Sequence, residues 1–174
     1  MNEFRESISK ACLADVDQIV DLVNIAYRSK KSKGWTSESG VVEGKRTNSD
    51  DVISLLARPQ SVIFIVKNEG RAVGCIHLEK DSDKASVGML AIEPTLQGKG
   101  IGSTLLEYVE VFARDNFLVN KVVMCVIAQR TELVDYYSRI GYLSEGGLCE
   151  YPRHLNTGVP VQDNLPIQFL IKNL

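Results

Sequence analysis

Gln97-Gly98-Lys99-Gly100-Ile101-Gly102 sets three glycines at alternate positions just ahead of an apolar stripe at helical spacing. Leu105, Leu106, Val109, Phe112 and Ala113 form that stripe, so a helix begins near Gly100. Upstream, Val87-Gly88-Met89-Leu90-Ala91-Ile92 reads as a buried strand. Glu93-Pro94-Thr95 breaks it, because proline cannot donate to a ladder. A strand feeding a glycine-rich turn that opens a helix is an anion site. The first-turn amides lack intrahelical partners, the helix dipole is positive there, and glycines let a phosphate approach the backbone.

Spacing decides which phosphate ligand fits. A Walker loop needs Gly-Lys-Ser/Thr, whereas Lys99 is followed by Gly100. The dinucleotide fingerprint has two residues before its last glycine, and Gly98, Gly100 and Gly102 are separated by one. Gln97-x-x-Gly100-x-Gly102, after a strand ending Ala-Ile-x-Pro, resembles the acetyl-coenzyme A loop of the GNAT N-acetyltransferase superfamily. The resemblance implies that amides of Gln97, Gly98, Lys99, Gly100, Ile101, Gly102 and Ser103 hold the pyrophosphate, with Lys99 as an added charge. It also implies that backbone groups of Leu90, Ala91 and Ile92 run beside the pantetheine arm, next to a β-bulge near Met89–Leu90.

A second segment, Arg130 to Tyr142, resembles the family's other cofactor motif, ending in Tyr-x-x-x-Gly-aromatic. Tyr137 matches the tyrosine that many members place near the coenzyme sulfur as general acid, and Tyr136 is the alternative. With a pKa of ~10, a tyrosine is protonated at neutral pH and can donate to a leaving thiolate. Arg130, a candidate cofactor contact by the resemblance, stands where the family often has asparagine, a departure from the family's pattern.

Acetyl transfer needs an acceptor nitrogen without its proton, and a lysine-like amine has a pKa of ~10.4. Ala85 to Ile92 carries no titratable side chain. Glu79 is therefore the first candidate base, with Glu93 and His77 behind it, each weighed against a role as a surface or paired group. By the resemblance, the acceptor site lies where residues 32–47 meet residues 151–166, with Tyr27, Arg28, Trp35 and Glu38 as candidate contacts. Glu38 and Glu43 could hold a cationic amine, whereas Arg28 and Arg46 could grip a carboxylate.

The elements that position these residues follow from pattern. Ile8 to Cys12 is a short strand, and Val16, Ile19, Leu22, Val23, Ala26 and Tyr27 follow helical spacing. Ser49-Asp50-Asp51 caps a short helix that stops before Pro59. Residues 61–66, 72–79 and 87–92 read as a three-strand meander, and Asn68-Glu69-Gly70-Arg71 is a hairpin signal. A helix, a strand at Lys121–Ile127, a helix at Glu132–Ile140 closed by Gly141, and two strands follow. The expected fold is α/β: a mixed, mostly antiparallel sheet of six to seven strands with helices on both faces, one domain over 1–174.

Composition sets the outer bounds. A net charge of −2 supplies no basic field for nucleic acid or an anionic membrane. No apolar run approaches the ~20 residues of a membrane span, and Met1 to Ser9 does not read as a signal peptide, so the cytoplasm is expected. Cys12, Cys75, Cys125 and Cys149 are widely spaced and read as buried free thiols, with no metal site expected. The sum is an acetyl-coenzyme A-dependent N-acetyltransferase acting on a primary amine of a small molecule, by direct attack in a ternary complex, with a homodimer left open. The rivals are a non-catalytic acyl-coenzyme A sensor and a protein or peptide acetyltransferase.

Overall fold

The computed structural model describes residues 4–30, 37–155 and 157–174. In chain order the elements are β1 (Ile8–Lys10), α1 (Val16–Arg28), β2 (Val42–Glu43), α2 (Ser49–Ala57), β3 (Ser61–Asn68), β4 (Arg71–Asp81) and β5 (Lys84–Ile92). They continue with α3 (Ile101–Phe112), β6 (Lys121–Ile127), α4 (Thr131–Arg139), β7 (Leu143–Ser144), β8 (Cys149–Glu150), β9 (Val159–Pro160) and β10 (Pro166–Asn173). The main sheet runs β1-β3-β4-β5-β6-β10-β7, and β8 also pairs with β10 to make eight strands. Every pair in it is antiparallel except β5 with β6. The expected sheet is thus present, with β8 as the strand that pattern did not reveal.

Alternation along β3 divides the core. Phe64 and Val66 join α3 residues Ile101, Leu105, Leu106 and Val109 on one face. Ile63 and Ile65 join α1 residues Ile19, Leu22 and Val23 and Val52 of α2 on the other. The β3–β4 turn uses Glu69 (φ 50°) and Gly70 (φ 79°), the two left-handed residues that a tight hairpin prefers. The cap of α2 sits one residue earlier than expected. Asn48, not Ser49, accepts from the Asp51 amide at 2.9 Å, since its carbonyl oxygen reaches that donor from an extended backbone.

The two segments expected to flank the acceptor do meet. Val42 pairs with Pro160 and Glu43 with Val159 in a two-residue ladder, β2 against β9. Arg28 ties the same region together, donating to the Gly44 carbonyl at 2.9 Å and the Thr157 carbonyl at 2.5 Å.

The reading of the cysteines needs correction. Cys75 alone is buried; Cys12, Cys125 and Cys149 are exposed. Cys125 points away from the packed α3 face of β6, and Cys149 lies on a two-residue edge strand, so apolar neighbours in sequence did not bury them. Among the described residues no helix is long and apolar enough to cross a membrane.

Helix α3 sits close on β4 because Gly74 has no side chain. A Cβ there would come within 3.0 Å of Ile101 Cγ2, 3.1 Å of Ile92 Cδ1 and 3.3 Å of Leu105 Cδ1. Gly74→Val should therefore lower stability by ~1–3 kcal/mol, the usual cost of overpacking a filled core. Chemical denaturation checks this, and an unchanged midpoint would mean that α3 can move off the sheet freely.

Candidate active site

The site starts from an interrupted ladder. Strands β5 and β6 pair only from Ala85 to Val87, opposite Val122 to Met124, and then diverge. On the other side of β5 the register with β4 shifts between Cys75 and His77, so Met89 and Leu90 together oppose Ile76. Met89 takes φ 51°, the left-handed conformation of a bulge. The bulge expected near Met89–Leu90 is therefore present. From Gly88 to Ile92 the β6-facing edge of β5 has no strand partner among the described residues.

The glycine turn follows directly. Gly98 has φ 77° and Gly100 φ 85°, and Gly100 is the N-cap of α3. These left-handed positions fold the turn back over the helix start, which suits residues lacking a Cβ. The amides of Ile101, Gly102 and Ser103 belong to the first turn and have no intrahelical acceptor. The Ser103 and Thr104 hydroxyls both donate to the Gly100 carbonyl at 2.9 Å, alongside the helical bond from the Thr104 amide at 3.0 Å.

A cavity of about 350 Å³ opens between this turn and α4, lined by Leu90, Ile92, Leu96, Gln97, Gly98, Gly100, Ile101, Gly102, Ser103, Leu133, Tyr136 and Tyr137. A second, of about 90 Å³, lies between the diverging strands, with Tyr27, Glu38, Arg46, Gly88, Met89, Cys125 and Arg130 in its wall. Leu90, Leu133 and Tyr137 line both. An anion held at the helix start and an elongated molecule lying along β5 would meet a second molecule at Tyr137.

Tyr137 is 7% exposed, and among the described residues its hydroxyl has no hydrogen-bond partner. Its ring is held edge-on by Tyr136 and Tyr142, with centroids 5.4 and 5.9 Å away. Burial pushes the phenol up to about 12, so it keeps its proton. A buried, unpartnered hydroxyl is rare in folded proteins and is a sign that a ligand supplies the partner.

The other expected residues divide clearly. Leu90, Ile92, Gln97, Gly98, Gly100, Ile101, Gly102 and Ser103 line the larger cavity. Ala91 is fully buried on the α1 face and lines neither cavity, and Lys99 is exposed outside both. Arg130 lines the smaller cavity rather than the larger, bonding Glu132 and the Ser37 carbonyl. Tyr27 and Glu38 line the smaller cavity, whereas Arg28 stands behind it, with its guanidinium 2.5 Å from Glu38. Trp35 lies outside the described residues.

None of the three candidate bases lines either cavity. Glu79 is bound by Arg58 at 3.1 Å on the sheet surface, two strands from β6. Glu93, between the end of β5 and Pro94, faces Arg71 at 3.5 Å. His77 Nε2 is 2.8 Å from the Ser61 hydroxyl, and burial pushes the ring down to about 4. A Cβ at Gly88 would sit 3.9 Å from His77 Nδ1, so the ring stands behind that wall.

Sequence reasoning missed Leu96, Leu133, Met89 and Cys125 as lining residues. Leu133, four positions before Tyr137 on α4, was accessible from helical spacing. Cys125 was not, because its exposure follows from the strand divergence. Among the described residues, no three His, Cys, Asp or Glu side chains are grouped as metal ligands would be.

Comparison with known proteins agrees with the geometry. Residues 20–142 match the model of the Acetyltransferase (GNAT) family. A ribosomal-protein-alanine N-acetyltransferase of Brucella melitensis superposes with a TM-score of 0.71 at 17% identity, covering 96% of this chain and 99% of its own. A variant of the spermidine N-acetyltransferase of Vibrio cholerae gives 0.67 at 16% identity, covering 95% and 94%. A GNAT family acetyltransferase of Elizabethkingia anophelis, solved with acetyl-CoA bound, gives 0.60 at 19% identity, covering 73% and 84%. At these identities the structural likeness establishes the fold.

Gly102→Glu tests the anion site cleanly. A Cβ at Gly102 meets only Ile92 Cγ1, at an ordinary 3.7 Å, and a carboxylate suits a helix start, so the fold should survive. The carboxylate would occupy the anion position and repel a phosphate. Calorimetric titration with coenzyme A should show at least a tenfold loss of affinity; unchanged affinity in a folded variant would remove the anion site.

Proposed function

We infer, since this chain belongs to the acetyltransferase (GNAT) family, that it transfers an acetyl group from acetyl-coenzyme A to a primary amine of a small molecule by direct attack in a ternary complex. The observation that carries this reading is the meeting of the two cavities at Leu90, Leu133 and Tyr137. One ligand threads from the helix start along β5, and the other reaches the same point through the strand gap.

The residues fit the donor. The amides at the start of α3 receive the pyrophosphate, and the free edge of β5 receives the amide-bearing arm. Acetyl-coenzyme A supplies an acyl group activated as a thioester. The acceptor nitrogen forms its bond to the acetyl carbon, the carbon–sulfur bond breaks, and Tyr137 gives its proton to the departing sulfur. The proton lost by the amine leaves through solvent and restores the phenol.

A covalent route through cysteine is disfavoured for a reason other than the one expected. Cys125 does reach the smaller cavity; although its surface opens to the cleft, desolvation by the surrounding walls pushes its thiol up to about 11. At neutral pH it is almost wholly protonated, and the thiolate is the nucleophile. With Glu79, Glu93 and His77 outside the cavities, the acceptor enters as the neutral amine.

Two measurements test this. Tyr137→Phe should lower turnover by ~10²-fold, the scale of a lost general acid, with little change in acetyl-coenzyme A affinity. Turnover equal to wild type would leave Tyr137 a packing residue. In the intact protein kcat/KM should climb about tenfold per pH unit below the acceptor's own pKa. It should show no alkaline fall until Tyr137 titrates near about 12. A plateau near neutrality would reveal a side-chain base. Coenzyme binding without thiol release on an amine panel would mark a sensor instead.

A further inference from the structure

We propose that the acceptor carries a carboxylate beside its amine and that Arg46 binds that carboxylate, an inference that rests on the transferase reading above. Three charged side chains line the smaller cavity: Glu38, Arg46 and Arg130. Glu38 is matched by Arg28 at 2.5 Å, and both are largely buried, so its charge is not free to hold an ammonium group. Arg130 is engaged by Glu132 and by the Ser37 carbonyl. Arg46 makes no ion pair with any described residue. With Arg28 and Glu132 counted, the cluster carries one surplus positive charge, and Arg46 is its source.

The guanidinium is also held in place. It lies over the Tyr27 ring, 5.2 Å from its centroid, and the Tyr27 hydroxyl is fixed to the Leu90 carbonyl at 3.1 Å. The Arg46 backbone is pinned as well, its amide donating to Asn24 Oδ1 at 2.7 Å, and Asn24 Nδ2 in turn bonds the Thr47 carbonyl at 3.0 Å. Its charge acts on the Tyr27 phenol and the Cys125 thiol, opposing the upward push of burial on each, so it faces across the cavity. A half-buried, oriented guanidinium without a counter-ion is a fork for a planar carboxylate, which it can grip with two parallel hydrogen bonds. A polycation would meet the surplus charge and be repelled.

Arg46 and Tyr137 line the same small cavity, so a molecule whose carboxylate sits on Arg46 can present its amine to Tyr137. A volume of about 90 Å³ suits an amine and a carboxylate on one small skeleton, such as an amino acid, better than an extended chain.

The test is a thiol-release assay with acetyl-coenzyme A. The acceptors are the common α-amino acids, β-alanine and γ-aminobutyrate, each beside its carboxamide, with spermidine as the polycation. At least one acid should be turned over with kcat/KM tenfold or more above its amide and above spermidine. Arg46→Gln should raise KM for that acid by ~10–100-fold and bring the acid-to-amide ratio towards one, the scale of a lost close charge pair. Its acetyl-coenzyme A affinity by calorimetry should stay unchanged, since Arg46 does not line the larger cavity. Preference for an amide or spermidine, a ratio untouched by Arg46→Gln, or no turnover of any acid by a protein that binds acetyl-coenzyme A would overturn the proposal while leaving coenzyme binding intact. Failure to bind acetyl-coenzyme A would overturn the transferase reading and this inference with it.

Discussion

The structure depends on a sheet that is required to stop pairing in its middle. Parallel strands β5 and β6 hold their ladder as far as Val87 and Met124 and then part, leaving a backbone edge at the centre of the molecule. The Met89 bulge makes the divergence possible, and its left-handed φ of 51° costs ~1–3 kcal/mol for a residue with a side chain. Packing offsets that cost. Met89 is 5% exposed, buried among Val16, Ile19 and Val23 of α1. The two carbonyls at the bulge are also served, Met89 by the Cys75 thiol at 3.6 Å and Leu90 by the Tyr27 hydroxyl at 3.1 Å. Helix α1 is thus the brace that keeps the gap open.

Two further elements turn the gap into a site. Gly74 lets Ile101 and Leu105 press against β4, which seats the start of α3 beside the end of β5. On the far side, Glu110 of α3 accepts from Tyr142 at 2.8 Å and from Lys172 of β10 at 2.7 Å. That cluster fixes the C-terminal end of α4, whose Tyr137 ring packs on Tyr142. The distance between anion site and phenol is therefore set by buried contacts rather than by loops. Charge is arranged with the same economy, since Arg28 pairs with Glu38 while joining residues 44 and 157 beside the smaller cavity.

Much of this was legible in the sequence where one local rule governs. The glycine spacing and the stripe from Leu105 to Ala113 located the start of α3, and Pro94 located the end of β5, because turn and helix chemistry are set by neighbours in the chain. Tyr137 was named from a motif, and folding sets it where the two cavities join. What neighbours in the chain could not reveal is long-range. Glu79 stood near the cofactor strand in sequence order, yet Arg58, brought in by α2, takes its carboxylate. Cys125 sits in an apolar run and looked buried, but divergence of β6 exposes it to the cleft. Arg28 and Arg46 were indistinguishable as carboxylate ligands in the chain, and among the described residues folding gives a carboxylate partner to Arg28 and not to Arg46.

The central claim is that acetyl-coenzyme A occupies the start of α3 and the free edge of β5 together. Residue-resolved amide hydrogen exchange, with and without saturating acetyl-coenzyme A, measures this directly. New protection is expected at Gly100 to Ser103 and within Gly88 to Ile92, joined in one ligand-dependent set. Protection confined to other parts of the chain, or none at saturation, would contradict it.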